Sequence, residues 1–406
     1  MSTINVALLG FGTVGKGVYN TIETHQVRLH QIYGKPVKVV AILVKHLNKH
    51  VCPSSEILLT DNFSEIEQID DLHIVVDAIV GTEPAFSYCK RAIEKGCHLV
   101  TANKEMFSHF GEELVRLATS KNVSVGFEAT VAGGVPVIGV LRQLYQVNKV
   151  ERIEGILNGT TNYILTKMRK DKISFEEALR LAQEKGYAEA DPTNDVEGYD
   201  AFYKGKILSQ LVFHKNPTTV VRKGISSITS TQIDIATSLN LRFKHVVTLF
   251  QENSEVTLLV EPILVSESHP FYATEGVQNI VSIESDVTGK VQFQGPGAGM
   301  YPTASAVVED IANINNGKFQ TINTSLIEET NFIEERFSWL VFFNKKPKNV
   351  LNFVNYVHPN ALLIEGNEDE INLAFGNQEV VYYKADVKGY DKIKLFSGGT
   401  FNSIVG

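Results

Sequence analysis

The sequence predicts an α/β protein whose N-terminal part forms an open, mostly parallel sheet. Between Met1 and about Ala129, short runs of β-branched residues alternate with longer amphipathic stretches, which is the pattern of successive βαβ units. A glycine-rich segment directly follows the first run, where such a fold turns from strand to helix. From about residue 130 the pattern becomes that of an α+β domain with a mixed sheet.

The composition indicates more than one domain and a small-molecule partner. The chain has 406 residues, 43% of them hydrophobic, and a single core stops growing near roughly 250–300 residues. The formal net charge is −8, with the basic residues scattered along the chain. We therefore expect no nucleic-acid partner.

The cysteines favour a reducing, cytoplasmic environment. Cys52, Cys89 and Cys97 are an odd number and form no CxxC pair, which argues against a disulfide framework and a zinc site. The apolar run Ile4–Leu9 is too short for a signal peptide and lacks a basic flank, so we interpret it as a strand. No other stretch is long enough to span a membrane.

Five strands and three helices are expected in the first domain, from their alternating and amphipathic patterns respectively. The predicted strands are Asn5–Gly10, Val37–Val44, His73–Ile79, His98–Thr101 and Val123–Phe127. The predicted helices are Val14–Glu23, Glu83–Lys95 and Gly111–Ser120.

A GxGxxG pattern, Gly10-Phe11-Gly12-Thr13-Val14-Gly15, opens the first predicted helix. The first glycine permits a tight turn, the second lets backbone N–H groups approach a pyrophosphate, and the third allows the helix to pack on the strand. The preceding strand and the strands that follow make this a prediction of dinucleotide binding in a Rossmann-type domain. A glycine-rich turn without a ligand is the alternative.

The end of the second strand bears on the choice of cofactor. No Asp or Glu stands there, whereas Lys45, His46 and Lys49 do. An acidic residue at this position would hold the ribose hydroxyls, and a basic one would accept a 2′-phosphate, so we expect NADP(H), with NAD(H) still open. A solvated basic turn is the alternative.

The middle of the chain is predicted to form a substrate domain. Its strands include Val150–Leu157 and Val256–Val265, separated by helical patterns such as Ser174–Lys185. A later helix, beginning after Pro302 and ending near Asn315, is expected to return to the first domain.

The acidic segment Gly186–Lys204 contains five carboxylates before one lysine. A loop broken by Pro192 and Gly198 would gather carboxylates around a cationic group such as an α-ammonium. In a helix from about Tyr199, Asp200 and Lys204 are one turn apart and can hydrogen-bond. Lys204 is thus a candidate proton carrier for an alcohol–ketone interconversion; a solvated acidic loop with a surface ion pair is the alternative.

Lys104 is a second candidate for a role in the chemistry. It comes just after the predicted strand His98–Thr101, and ligands of open α/β sheets bind at the carboxyl ends of the strands. A loop lysine in water is the alternative interpretation.

Six segments of the sequence resemble homoserine dehydrogenases, and they follow one another in that family's order up to about residue 311. The matching segments are GFGTVGKG, VTANKE around Lys104, FEATVAGGVPVI from Phe127, NGTTNYIL from Asn158, GYAEADPTNDVEGYDAFYK from Gly186, and GPGAGMYPTASAVVEDI from Gly295. The acidic segment is the most specific of them.

The resemblance implies roles for individual residues. Lys204 matches the family's general acid/base and Lys104 its assisting lysine. Glu189 and Asp200 match the carboxylates that contact the substrate, with Asp195 supporting them. Gly186 and Gly299 are expected to touch the cofactor together with Phe11, Thr13 and Val14. A structural sodium ion would lie against Glu128, Val131, Gly133 and Val135.

The changes of pattern near residues 130 and 331 predict three domains: a Rossmann-type domain at 1–129, a substrate-binding domain at 130–320 and a C-terminal module at 331–406. The resemblance implies that the second domain also forms the dimer and that the third is an ACT-like α+β module. In this module the strand-like runs are Phe337–Phe343 and Glu379–Lys384. Lys346 and Lys348 replace the acidic residue and the glycine that usually flank the proline at its opening. We therefore expect a degenerate module in which effector binding stays open.

The expected activity is the reversible NAD(P)H-dependent reduction of L-aspartate 4-semialdehyde to L-homoserine, in threonine, methionine and isoleucine biosynthesis, by a cytoplasmic homodimer. A phosphorylating dehydrogenase of the same semialdehyde would need a nucleophilic cysteine in the catalytic domain, but all three cysteines precede residue 98. A non-catalytic NADP(H)-binding sensor is the other alternative.

Overall fold

The computed structural model describes residues 3–144, 146–314, 337–345, 347, 355–375 and 378–387. Its first sheet has six strands in the order β3-β2-β1-β4-β5-β6, and every neighbouring pair is parallel. The strands are β1 (Ile4–Leu9), β2 (Val37–Leu43), β3 (Leu58–Thr60), β4 (Leu72–Asp77), β5 (His98–Thr101) and β6 (Val125–Gly126). The predicted Rossmann-type parallel sheet is therefore confirmed, with the three-residue β3 as an additional edge strand.

Five helices connect these strands: α1 (Thr13–Thr24), α2 (Gln26–Tyr33), α3 (Phe63–Glu67), α4 (Ala85–Glu94) and α5 (Lys104–Ser120). The prediction for α5 was wrong at its N-terminus, because the helix begins at Lys104 rather than at Gly111. The Asn103 side chain accepts a hydrogen bond from the Met106 N–H at 3.1 Å, which satisfies one of the free N–H groups of the first turn. Lys104 is consequently the first residue of a helix and not a loop residue.

The second sheet is mixed and has ten strands. Nine of them follow the order β12-β11-β7-β9-β10-β16-β13-β15-β14, and β8 pairs with β10. The six strands before residue 300 are β7 (Val150–Ile156), β8 (Thr219–Arg222), β9 (Arg242–Glu252), β10 (Glu255–Val265), β11 (Gln278–Ser285) and β12 (Gly289–Pro296). The four later strands are β13 (Phe337–Phe343), β14 (Asn355–His358), β15 (Ala361–Gly366) and β16 (Val380–Asp386). This sheet confirms the predicted mixed α+β architecture beside the parallel one.

Eight further helices are described: α6 (Ile138–Leu144), α7 (Gly159–Asp171), α8 (Phe175–Glu184), α9 (Thr193–Val196), α10 (Tyr199–Val212), α11 (Ser230–Ser238), α12 (Met300–Ile314) and α13 (Glu368–Phe375). Helix α12 packs on α1, in a core that contains Val18, Ile22 and Val307. At their crossing, a Cβ on Gly17 would lie 2.7 Å from the Met300 carbonyl oxygen. The start of α12 therefore lies against the helix that follows the glycine-rich loop.

The C-terminal strands extend the second, mixed sheet. Strand β16 runs parallel to β10, with Leu264 opposite Ala385, and the two parts share one apolar core in which Phe243 contacts the rings of Phe342 and Tyr383. The flanking lysines of the expected ACT-like opening, Lys346 and Lys348, lie outside the described residues. Within the described residues, no helix is long and apolar enough to cross a membrane.

Candidate active site

The acidic segment ends in a buried lysine–carboxylate pair. Gly198 precedes α10 with a φ of 80°, a conformation that glycine adopts at little cost and that lets the chain turn into the helix. Within α10, Lys204 lies one turn after Asp200, and its Nζ donates a hydrogen bond to Asp200 Oδ2 at 2.7 Å. Lys204 is only 8% and Asp200 4% exposed. The spacing predicted this contact, and the burial excludes the alternative of a solvated surface pair.

Lys104 contacts the same carboxylate from the first domain. Its Nζ lies 2.7 Å from Asp200 Oδ1, and its side chain is 45% exposed. Asp200 thus receives one lysine on each oxygen, one from α5 and one from α10. The structure brings together the two lysines that the sequence singled out separately.

Lys204 makes a second hydrogen bond, to the main chain. Its Nζ donates to the Leu157 carbonyl oxygen at 2.6 Å, at the point where β7 ends. An ammonium group has three hydrogens, so the contacts to Leu157 and Asp200 leave one for a bound ligand.

Asn158 holds the acidic groups in place, although no motif in the sequence marks it as a site residue. Its Nδ2 donates to Asp195 Oδ1 at 2.7 Å and to Asp200 Oδ2 at 2.8 Å. Its Oδ1 accepts from the Thr161 N–H at 2.8 Å and caps α7. Asparagine before a predicted helix is a recognised capping signal, but nothing in the sequence shows that the same amide reaches residues about forty positions later.

The site makes the two lysines electrostatically different. The negative charge of Asp200 raises the pKa of Lys104, because it stabilises the ammonium form. Burial lowers the pKa of Lys204, and the charge of Lys104 lowers it further, against the opposing effect of Asp200. Lys204 therefore loses its proton more readily than Lys104 does.

The pKa values of the two buried carboxylates, Asp200 and Asp195, also shift in opposite directions. Burial would raise the pKa of Asp200, but the two lysines outweigh it and hold that pKa well below its usual range. Burial raises the pKa of Asp195, and the neighbouring charge of Asp200 raises it further. Glu189 is exposed, and its charge contributes to the raised pKa of Lys104. A bound cation would therefore lie close to several carboxylates next to the lysines.

The glycine-rich loop has the geometry that its motif predicts. Gly10 has a φ of 98°, and a Cβ there would lie 2.7 Å from the Ala78 carbonyl oxygen; a Cβ on Gly15 would overlap the Gly10 carbonyl. Gly12 has open space around it and precedes α1 without a side-chain cap. The loop leaves the N-terminus of α1 open to an anion, with Phe11 buried and Thr13 exposed.

Three other predicted cofactor residues, Lys45, Gly299 and Gly186, lie in turns between elements. Lys45 is exposed just past the end of β2, on the same sheet edge as the glycine-rich loop. Gly299 directly precedes α12, whose first residue contacts Gly17 of α1. Gly186 is exposed in the turn after α8. Its N–H bonds to the Gln183 carbonyl oxygen at 2.9 Å, and among the described residues no hydrogen bond joins Gly186 to the glycine-rich loop.

Glu128 lies in a network of main-chain hydrogen bonds. Its Oε1 accepts from the N–H groups of Val137 and Ile138 at 2.7 and 2.9 Å, and its Oε2 accepts from Gly139 at 2.7 Å. The carboxylate thus caps the start of α6. Residues Val131, Gly133 and Val135 are buried in the same turn, and within the described residues no hydrogen bond reaches their carbonyl oxygens. A turn with free carbonyls beside one carboxylate fits a hard cation such as sodium.

The fold and the site define a class of protein: a nicotinamide-dependent oxidoreductase, with a Rossmann-type domain carrying the dinucleotide loop and a second domain supplying a buried lysine. The family model described as "Homoserine dehydrogenase, NAD binding domain" matches residues 10–128, and the one described as "Homoserine dehydrogenase" matches residues 136–312. The chain belongs to the homoserine dehydrogenase family.

Curated relatives support this assignment. The homoserine dehydrogenase of Bacillus subtilis is 39% identical over 318 residues, which is 77% of this chain and 73% of that protein. The homoserine dehydrogenase of Mycobacterium tuberculosis is 39% identical over 315 residues, covering 76% of this chain and 71% of that one.

Solved structures agree with the sequence comparisons. A homoserine dehydrogenase from Thiobacillus denitrificans superposes with a TM-score of 0.84 at 30% identity, covering 95% of this chain and 98% of that chain. A hyperthermophilic archaeal homoserine dehydrogenase in complex with NADPH superposes with a TM-score of 0.67 at 29% identity, covering 78% and 98%. The expected oxidoreductase activity is thereby confirmed, and neither alternative function is favoured.

Proposed function

We propose that Lys204 is the proton carrier when this enzyme interconverts L-aspartate 4-semialdehyde and L-homoserine. The observation that carries the proposal is the buried Nζ of Lys204, held by Asp200 and by the Leu157 carbonyl with one hydrogen left over. In the reducing direction this hydrogen goes to the carbonyl oxygen of the aldehyde, and in the oxidising direction neutral Lys204 accepts the hydroxyl proton. The nicotinamide, when bound, supplies or takes the hydride.

Asp200 and Lys104 prepare the site for this step. Asp200 fixes the Lys204 amine and also meets Lys104, so one carboxylate holds both domains against the substrate. Lys104 is half-exposed and carries a positive charge that stabilises negative charge developing on the reacting oxygen. Glu189 and Asp200, with Asp195 in support, would bind the substrate ammonium.

The cofactor is proposed to be NADP(H) in preference to NAD(H). Residues Gly10, Phe11, Gly12, Thr13, Val14 and Gly15 would take the pyrophosphate at the start of α1, and Lys45 would meet the 2′-phosphate. Lys104, Gly186 and Gly299 would complete the contacts. Two observations support this: Lys45 is exposed at the end of β2, and an archaeal relative is described in complex with NADPH.

A sodium ion is proposed at Glu128, Val131, Gly133 and Val135. The carbonyls of the turn would ligate it, and its role would be structural, because the turn packs on Gly297 of the loop before α12. Replacing sodium by tetramethylammonium in the buffer should then lower the unfolding temperature, and an unchanged temperature would refute the site.

The remaining expectations concern organisation. We propose domains at 1–129, 130–320 and 331–406, a homodimer formed through the substrate domain, and a cytoplasmic role in threonine, methionine and isoleucine biosynthesis. The last domain would be a degenerate ACT-like module, for which the hairpin-like pairing of β13 with β15 and β16 gives support. Sedimentation of the purified chain tests the dimer, and a single monomeric species would contradict it.

The variant Lys204→Ala tests the central role. We expect turnover to fall on the order of 10²–10⁴-fold, the usual contribution of a positioned acid or base, with the NADPH dissociation constant unchanged. The variant Lys206→Met is the matched control, because Lys206 is on the same helix but makes no ion pair with a described residue. Near-normal turnover of Lys204→Ala would refute the role.

A further inference from the structure

A buried asparagine on a neighbouring strand shares the carbonyl that holds Lys204. Asn279 is the second residue of β11 and is fully buried. Its Nδ2 donates to the Leu157 oxygen at 3.1 Å, the same oxygen that accepts from Lys204 Nζ at 2.6 Å. The Leu157 carbonyl thus receives two donors, which uses both of its lone pairs.

The other end of the Asn279 amide is unsatisfied. Its Oδ1 is buried and accepts no hydrogen bond from the described residues. An orphaned buried acceptor is destabilising, and an apolar residue of the same shape, such as leucine, would avoid that penalty. An unpaired polar atom in a native core calls for an explanation, and stability alone does not provide one here.

The side-chain amide of Asn279 also packs against the loop before α12. A Cβ on Gly297 would overlap the Asn279 side chain, so the loop backbone lies directly on the amide. Two residues later this loop reaches Gly299, the proposed cofactor contact. Asn279 therefore lies between the carbonyl that holds the reacting lysine and the loop proposed to hold the cofactor.

We propose that Asn279 is a positioning residue for Lys204, and that it acts by occupying one lone pair of the Leu157 carbonyl. The Lys204 ammonium is then confined to the other lone pair. Because the second hydrogen of this ammonium bonds to Asp200, only one direction remains for the third hydrogen. This inference rests on the proposed proton transfer by Lys204 and adds to it the residue that fixes the direction of the proton.

The arrangement has a consequence that a purely structural asparagine would not have. A carbonyl that already accepts from a neutral amide stabilises an ammonium less than a carbonyl with no other donor. Loss of the amide should therefore raise the pKa of Lys204. The charged groups facing that amine, namely Asp200, Asp195 and Lys104, stay the same in the variant, so the shift can be assigned to Asn279.

The experiment is the pH dependence of homoserine oxidation by Asn279→Leu and Asn279→Asp. In this direction Lys204 must be neutral, so a raised pKa moves the rising limb to higher pH. We expect a shift of roughly half to one pH unit for Asn279→Leu, the size of one neutral hydrogen bond. Asn279→Asp should shift the limb further, because a carboxylate cannot donate and attracts the ammonium.

A matched control separates positioning from packing. Asn162 is also fully buried and donates to the Thr274 and Gln278 carbonyls at 3.3 and 3.2 Å, but it does not contact Lys204. Asn162→Leu should leave the midpoint of the limb unchanged whatever it does to stability. Unmoved midpoints in both Asn279 variants, or an equal shift in Asn162→Leu, would overturn the inference.

The outcome also distinguishes this inference from the underlying proposal. If Lys204→Ala loses the limb while the Asn279 variants leave it in place, only the role of Asn279 fails. If Lys204→Ala keeps the limb, the proton-transfer role of Lys204 fails first. Should one Asn279 variant not fold, the other still gives a midpoint to compare with the unsubstituted enzyme.

Discussion

Two substitutions of Asn158 would separate its two tasks. Asn158→Ser keeps an oxygen that can cap α7, since serine caps helices about as well as asparagine. It removes, however, the amide hydrogens that reach Asp195 and Asp200. Asn158→Ala removes both the cap and these hydrogens. The pair therefore tests whether one side chain supports the helix and the two carboxylates of the candidate site independently.

The expected magnitudes follow from the contacts. A hydrogen bond to a charged group contributes about 1.5–3 kcal/mol, and each 1.36 kcal/mol is a factor of ten, so both variants should lose about 10- to 100-fold in kcat/KM. The lost cap costs about 1 kcal/mol. For a chain of 406 residues, this should lower the unfolding temperature of Asn158→Ala by roughly 1 °C relative to Asn158→Ser.

Steady-state kinetics and thermal unfolding of both variants, measured side by side, provide the check. Equal unfolding temperatures for Asn158→Ser and Asn158→Ala would refute the capping role. A normal kcat/KM in Asn158→Ser would refute the role of the amide at the carboxylates. The wild-type enzyme with the same cofactor is the reference for both measurements.

Two further predictions concern the cofactor and the effect of pH on stability. Lys45→Glu should weaken NADPH much more than NADH, because it opposes the 2′-phosphate with a negative charge; equal losses in affinity for the two cofactors would contradict this. Burial raises the pKa of Asp310 to about 7, above the value near 3.9 in an unfolded chain. Between these two values the folded state binds a proton that the unfolded chain has lost. The protein therefore loses stability as the pH rises from the unfolded value through the folded one. Asp310→Asn, which keeps an oxygen for the Glu128 N–H, should therefore gain stability over the wild type at pH 8 relative to pH 5 in urea unfolding. A difference that does not vary with pH would show that Asp310 titrates normally.

The sequence could predict those parts of the site that depend on local spacing. Asp200 and Lys204 are one helical turn apart, so a helix after Gly198 was enough to place them in contact. The glycine-rich loop likewise follows from its position between a strand and a helix. In both cases the interacting groups are close along the chain, and the local conformation fixes their geometry.

The rest depends on contacts between distant segments. Lys104 meets Asp200 across 96 positions, and only the packing of α5 on α10 brings them together. The start of α5 was misplaced because its first turns are held by the Asn103 cap and by burial of Met106 and Phe107, which the apolar pattern alone did not separate from the preceding loop. Asn158 and Asn279 form hydrogen bonds to residues from other elements, and the residues next to them in the sequence do not indicate these contacts.

The junction between β10 and β16 has a practical consequence for anyone who shortens this protein. A fragment that ends after α12 would expose the backbone N–H and C=O groups of β10 at Leu264 and Val265, and also the side chain of Phe243. An exposed strand edge beside apolar side chains can pair with strands of other chains. We therefore expect the trimmed fragment to form larger assemblies than the full chain does. Light scattering that shows a monodisperse fragment in the same oligomeric state as the full chain would contradict this expectation.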